Sequence, residues 1–259
     1  MNTKTMVIEP EAAHGCTGCS SSNKLNFDFE YAFQPIVNLS SRTIYAHEAL
    51  IRGVNGESAH TILSKVNNEN IYRFDQACRV KAVKTAVEAQ IGSLLSINFY
   101  PNAVYKPELC ISTTLAAAKK YNFPVNDIIF EFTEGEKIDN AMHLQNIITE
   151  YKKLGFKTAI DDFGAGYAGL SLLAQLQPDI VKIDMELLRN IDSNKPRQII
   201  VRALIRMCHE LEVTVLAEGV ETKAERNYLA DQGVDLMQGY LFSKPVFKSK
   251  GVIDDDVWT

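Results

Sequence analysis

The chain has 259 residues, 46% of them hydrophobic, and a formal net charge of −5. That length is long for one domain but ordinary for a single α/β barrel, and the acidic balance argues against a general nucleic-acid surface, which needs a basic stripe. No run of about 18 apolar residues occurs, so no membrane span is expected. The opening MNTKTMVIEPEAAHGC lacks the basic region and apolar stretch of a secretory signal. Five cysteines, of which Cys78, Cys110 and Cys208 stand alone, suit a reducing cytosol better than a disulfide framework. A cytoplasmic protein is expected.

In chain order, residues 1–26 are polar and small and read as a tail. Within it, HGCTGC places Cys16 and Cys19 at the gap of zinc knuckles and redox pairs. No second CxxC completes a zinc site, so reduced thiols in a tail compete with a metal or redox role. From Phe27 to the end the pattern is that of one barrel domain. AFQPIVNL (32–39) and TIYAHEALIR (43–52) read as strands joined by a short turn, which implies an antiparallel start. Residues 71–90 have helical spacing, and 93–100 form a strand stopped by Pro101. A helix around 110–121 leads to strand 127–134. Helix and strand then alternate: helix 139–154, strand 157–163, helix 169–176, strand 179–185, helix 196–210, strand 213–220, helix 222–232, strand 235–242. Eight strands in this order predict a TIM-like (β/α)8 barrel with an antiparallel first strand, the competing fold being an open doubly wound sheet.

In such barrels function sits where strands end. Seven ends each deliver a polar residue: Glu48, Asn98, Glu131, Asp161 with Asp162, Lys182, Glu218 and Gln238. Parity puts Glu48, Leu50 and Arg52 on one face of their strand and His47 on the other. Ser96 and Asn98 share a face, as do Ile129, Glu131 and Thr133. Ile180, Lys182 and Asp184 form another such set, and Thr214, Leu216 and Glu218 a further one. One choice of face brings all of them to the barrel mouth. KTAIDDFGAG (157–166) sharpens the point, because adjacent strand residues point opposite ways unless the backbone turns, and Gly164 and Gly166 would ease a turn. Converging carboxylates repel unless a cation or a shared proton neutralises them. Carboxylates and an amide oxygen, without cysteine or histidine, favour Mg²⁺ or Mn²⁺. The paired aspartates could bridge two such ions, an arrangement suited to in-line displacement at phosphorus. Lys182 could orient the nucleophile or stabilise developing negative charge.

Glu48-Ala49-Leu50 followed by Arg52 resembles the signature of the EAL-domain cyclic di-GMP phosphodiesterases. QPIV (34–37), FEFTE (130–134), DDFGAGYAGL (161–170), DIVKID (179–184), AEGVE (217–221) and QGYLFSKP (238–245) are similar to that family's remaining motifs, in order. The resemblance covers about residues 30–248 and implies hydrolysis of cyclic di-GMP to linear pGpG with Mg²⁺ or Mn²⁺. It implies that Glu48, Asn98, Glu131 and Asp161 bind one metal, and that Asp161, Asp162 and Glu218 surround a second. By the same resemblance Lys182 contacts the attacking water, while Glu134 and Glu221 support a loop and the site floor. Gln34, Leu50, Arg52, Asp184 and Gln238 match positions around the substrate, with Arg52 at a phosphate. YAGL and FEFTEGE depart from the commoner YSSL and ELTES near the loop that couples dimer contact to activity in the family, which leaves regulation open. A homodimer is expected, with control through a regulatory protein partner, dimerisation or the tail. A non-catalytic cyclic di-GMP receptor and a protein-interaction module are the alternatives.

Overall fold

The structure, a computed structural model, describes residues 25–133, 141–166 and 169–258. Cys16, Cys19 and Glu134 lie outside the described residues. Strand β1 (Glu30–Asn38) and strand β2 (Thr43–Arg52) form the expected antiparallel hairpin, with Gln34 directly opposite Glu48. Arg42 closes the short connection in the left-handed conformation, at φ 54°.

Six further strands follow: β3 (Leu94–Asn98), β4 (Ile128–Thr133), β5 (Lys157–Phe163), β6 (Ile180–Ile183), β7 (Thr214–Ala217) and β8 (Leu236–Met237). From β3 onward each is parallel to its predecessor. Leu236 and Met237 then pair antiparallel with Asn38 and Val37. That pairing closes the sheet and rules out the open doubly wound alternative. The result is a TIM-like (β/α)8 barrel in which β1 alone runs backwards. A ninth strand, β9 (Val246–Phe247), adds to the start of β1.

The helices are α1 (Ala59–Leu63), α2 (Ile71–Glu88), α3 (Pro107–Cys110), α4 (Ser112–Tyr121), α5 (Ala141–Lys153), α6 (Gly169–Leu176), α7 (Met185–Leu188), α8 (Lys195–Glu210) and α9 (Lys223–Asp231). The helix expected around 110–121 is split in two, and α1, α7 and β9 were not expected. The strands expected at 213–220 and 235–242 shrink to four and two residues. Their chains leave the ladder because they cross: Val220 donates to the Gln238 carbonyl, and Leu241 donates to that of Val220. Gly239 permits the crossing, since a Cβ there would lie 2.1 Å from the Val220 carbonyl oxygen.

Two apolar layers position the site. The larger side chains, among them Phe74, Phe99, Phe130, Phe132 and Tyr151, fill the space between strands and helices. Inside the barrel a plug of Ile36, Ala46, Ile129, Ala159, Ile180, Leu216 and Leu236 closes the bore. Side chains two residues apart share a strand face. The residues two beyond Ala46, Ile129, Ala159, Ile180, Leu216 and Leu236 are Glu48, Glu131, Asp161, Lys182, Glu218 and Gln238. The polar layer is therefore the next storey of the same stack. Among the described residues no helix is long and apolar enough to cross a membrane.

Candidate metal centre

Lys182 stands at the middle of this storey, 1% exposed. Its Nζ lies 2.8 Å from Asp161 Oδ1, 2.9 Å from Glu131 Oε2, 2.9 Å from Glu218 Oε1 and 3.8 Å from Glu48 Oε1. The Ser96 hydroxyl donates to Glu131 Oε1. Glu48 accepts from Asn98 Nδ2 at 3.2 Å and from Gln238 Nε2 at 2.8 Å. Carboxylate oxygens of Glu48, Glu131 and Asp161 fall within 4.8 Å of one another, and so do those of Asp161, Asp162 and Glu218. Asp161 belongs to both groups.

The adjacent aspartates converge because Asp162 itself turns the chain. Its φ is 54°, the left-handed conformation that aspartate tolerates better than most residues, and the β5–β6 register breaks between Ile160 and Phe163. Gly164 extends the turn at φ 98°.

Five carboxylates (Glu48, Glu131, Asp161, Asp162, Glu218) face one ammonium in this cluster. At about 4 Å each like-charge pair costs roughly 4 kcal/mol at an effective dielectric of 20. Burial, with Glu48 and Asp161 nearby, raises Glu131 despite the Lys182 contact. Burial also raises Glu218, with Asp161 and Glu48 adding to it. Asp162 is pushed up to about 6 by partial burial and then by Asp161 and Asp184. Burial alone would lower Lys182, but Asp161, Glu131, Glu218 and Glu48 together hold it well above its ordinary value. One ammonium thus leaves negative charge over, which protons or cations must take up. Asp161 Oδ1 makes no hydrogen bond among the described residues, although the ammonium is close. Oxygen donors in excess, with no thiolate or imidazole among them, fit hard divalent ions.

The remaining expected site residues spread outward from this cluster. Gln34 donates from Nε2 to the Ser243 carbonyl at 3.1 Å. Leu50 and Arg52 line a cavity of about 270 Å³ with Asn98, Tyr100 and Thr133. There Arg52 Nη1 donates to the Ile51 carbonyl at 2.7 Å. Asp184 caps α7 by accepting from the Glu186 N–H at 2.8 Å. Glu221 pairs with Arg189 at 2.8 Å, which ties the segment after β7 to the end of α7. Glu225 was not foreseen. It accepts from the Glu221 and Thr222 N–H groups at 3.0 and 3.1 Å and completes a capping box on α9. The Thr222-x-x-Glu225 spacing is the signal that would have found it.

Fold and site together define a class: an α/β barrel whose mouth carries a carboxylate centre fit for hard cations. The chain belongs to the EAL domain family, which it matches over residues 21–245. The crystal structure of a standalone EAL protein from Vibrio cholerae O395, bound to c-di-GMP, is similar at a TM-score of 0.88 and 51% identity, over 91% of this chain and 100% of that one. BlrP1 of Klebsiella pneumoniae, in a manganese and cyclic di-GMP complex at pH 6, gives a TM-score of 0.82 at 35% identity, over 90% of this chain and 60% of that one. The blue light- and temperature-regulated antirepressor BluF of Escherichia coli K12 is 36% identical over 227 residues, 87% of this chain and 56% of BluF. The cyclic di-GMP phosphodiesterase PdeF of the same organism is 35% identical over 150 residues, 58% of this chain and 20% of PdeF. The chain thus spans little more than half of one of these relatives and a fifth of the other.

Proposed function

We propose that this chain binds cyclic di-GMP and hydrolyses it to linear pGpG with Mg²⁺ or Mn²⁺, acting as a cytoplasmic homodimer under the control of a regulatory protein partner. The observation that carries this reading is the convergence of four carboxylates on the buried Lys182 ammonium at the barrel mouth, with Asp162 beside Asp161 and Glu218. In this reading Glu48, Asn98, Glu131 and Asp161 hold one cation, and Asp161, Asp162 and Glu218 hold a second. When bound, the cations polarise the scissile phosphoryl group and make water a better nucleophile. Lys182 orients the attacking water and stabilises charge on the phosphoryl oxygens. Arg52 meets a phosphate through charge-assisted hydrogen bonds, while Gln34, Leu50, Asp184 and Gln238 contact the rest of the dinucleotide. Glu221, paired with Arg189, and Glu134 position the site without reacting. Solved relatives that hold manganese together with cyclic di-GMP support a site for both.

A second reading, a protein-interaction module, is favoured by the likeness to a relative named as an antirepressor. An interaction surface alone would not require a central ammonium ringed by acids. Incubation of the purified chain with cyclic di-GMP and Mn²⁺ separates the outcomes. Hydrolysis that stops in excess EDTA is expected. Binding without turnover would make the chain a receptor, and neither would leave the interaction module.

A further inference from the structure

Outside the barrel, behind β3 and β4, lie two charged side chains that the cation centre does not use. Asp75 and Arg79, one turn apart on α2, are 1% and 0% exposed and form an ion pair. Arg79 Nη1 donates to the Tyr151 hydroxyl of α5 at 2.9 Å. Its guanidinium lies 5.9 Å from the Phe99 ring centroid and 5.7 Å from that of Phe130. The other Asp75 oxygen, Oδ1, accepts from the Tyr100 backbone N–H at 2.9 Å.

Stability is not a sufficient account of this pair. Apolar residues of similar volume often replace a buried ion pair without loss, and Arg79 Nε has no hydrogen-bond partner among the described residues. A packed leucine could not accept a backbone N–H just past the end of a strand. The strand in question carries Asn98, whose register partner on β4 is Glu131. The Phe99 N–H donates to the Glu131 carbonyl at 3.0 Å. Phe99 and Phe130, the outward neighbours of Asn98 and Glu131, pack edge to face at 5.7 Å, and both lean on Tyr151. One buried pair therefore grips the backbone two residues past β3 and, through Phe99 and Phe130, packs on the rings beside Asn98 and Glu131, at the point where those side chains enter the cation centre.

We propose that Asp75, held by Arg79, is a positioning residue: it fixes the backbone at Tyr100 and so aims Asn98 and Glu131 at the cation. This rests on the proposed reading of those two residues as ligands. Groups that orient metal ligands typically govern affinity by about 10–100-fold. Two double variants separate the acceptor from the charge pair. Asp75→Asn with Arg79→Met keeps a carbonyl oxygen for Tyr100, whereas Asp75→Leu with Arg79→Met keeps neither charge nor acceptor. Calorimetric titration of the full chain with Mn²⁺, beside metal-free melting, reads the result. The Asn variant is expected within about threefold of the parent affinity, and the Leu variant at least tenfold weaker even where both melt alike. Parental affinity in the Leu variant overturns the positioning role. So does a tenfold loss in the Asn variant, which decides the matter if the Leu variant does not fold. A parent chain that takes up no Mn²⁺ removes the cation reading and this role with it. A parent that binds Mn²⁺ and fails only the variant comparison loses the positioning role alone.

Discussion

Asp162 is the residue at which backbone conformation and charge meet. Its carboxyl is raised to about 6 from an ordinary 3.8, so the folded state holds that proton more tightly than the unfolded chain. The group therefore favours folding while protonated, and this contribution is lost as pH rises from about 4 through about 6. Asparagine accepts a φ of 54° and carries no charge. Without metal, Asp162→Asn is expected to melt above the parent at pH 8, with the difference shrinking at pH 5. Saturating Mn²⁺ at pH 8 should reverse the order, because only the parent keeps the full ligand set. Equal differences at both pH values would show that Asp162 is not held against like charge. Lys182 and Arg52 divide along another line. Lys182→Ala is expected to lose turnover by several orders of magnitude while keeping much of the dinucleotide affinity, because the proposed contact is to water. Arg52→Ala should instead weaken binding, and calorimetry beside initial rates would expose the opposite division. Most of the centre was legible because Glu48, Glu131, Asp161 and Glu218 each lie two residues beyond an apolar residue of the barrel plug. Asp75 and Arg79 were not legible. Their partners Tyr100 and Tyr151 lie 25 and 72 residues away, and buried residues on an outer helix read as ordinary core.

Among the elements, the ends of β7 and β8 decide how the mouth is built. The sequence DLMQGYLF continues an apolar pattern after the ladder has stopped, so strand propensity overran the true edge. What ends β8 is the approach of the Val220 backbone, a contact between segments that no local pattern encodes. β9 was hidden for the same reason, since two residues pairing with β1 carry no period. Gly239 tests the account. A Cβ there would lie 2.1 Å from the Val220 carbonyl oxygen and 2.3 Å from its nitrogen, both backbone atoms with little room to yield. Gly239→Ala is expected to cost about 2 kcal/mol or more, roughly 4–8 °C in Tm for a chain of this size. Mn²⁺ affinity should fall with it, because Gln238 and the loop after Glu218 must part. Thermal melting and metal titration of one preparation would check both, and an unchanged Tm would mean that the crossing is looser than the distances imply.

At the scale of the whole molecule, the open question is how a cation centre and an assembly surface would share one segment. Asp161 and Asp162 end β5, Gly164 continues the turn, and α6 begins at Gly169. Leu172 and Leu173 on that helix are buried, but Leu170 is 61% exposed, and Met142 on the adjoining α5 is 71% exposed. In a homodimer joined through this face, association would restrict the segment that aims both aspartates. Cation binding, by fixing the same aspartates, would favour the dimer by an equal free energy, since linkage is reciprocal. Dilution is therefore expected to lower specific activity, and added Mn²⁺ to restore part of it. Leu170→Asp, which places a charge on the exposed face, should shift the equilibrium toward monomer and lower Mn²⁺ affinity to the monomer's value, a drop no larger than the factor by which Mn²⁺ tightens the parent dimer. Sedimentation and Mn²⁺ titration across one concentration series would measure both quantities. A monomer that binds Mn²⁺ as tightly as the dimer would show that the two are uncoupled, leaving Asp162 and Gly164 only to turn the chain.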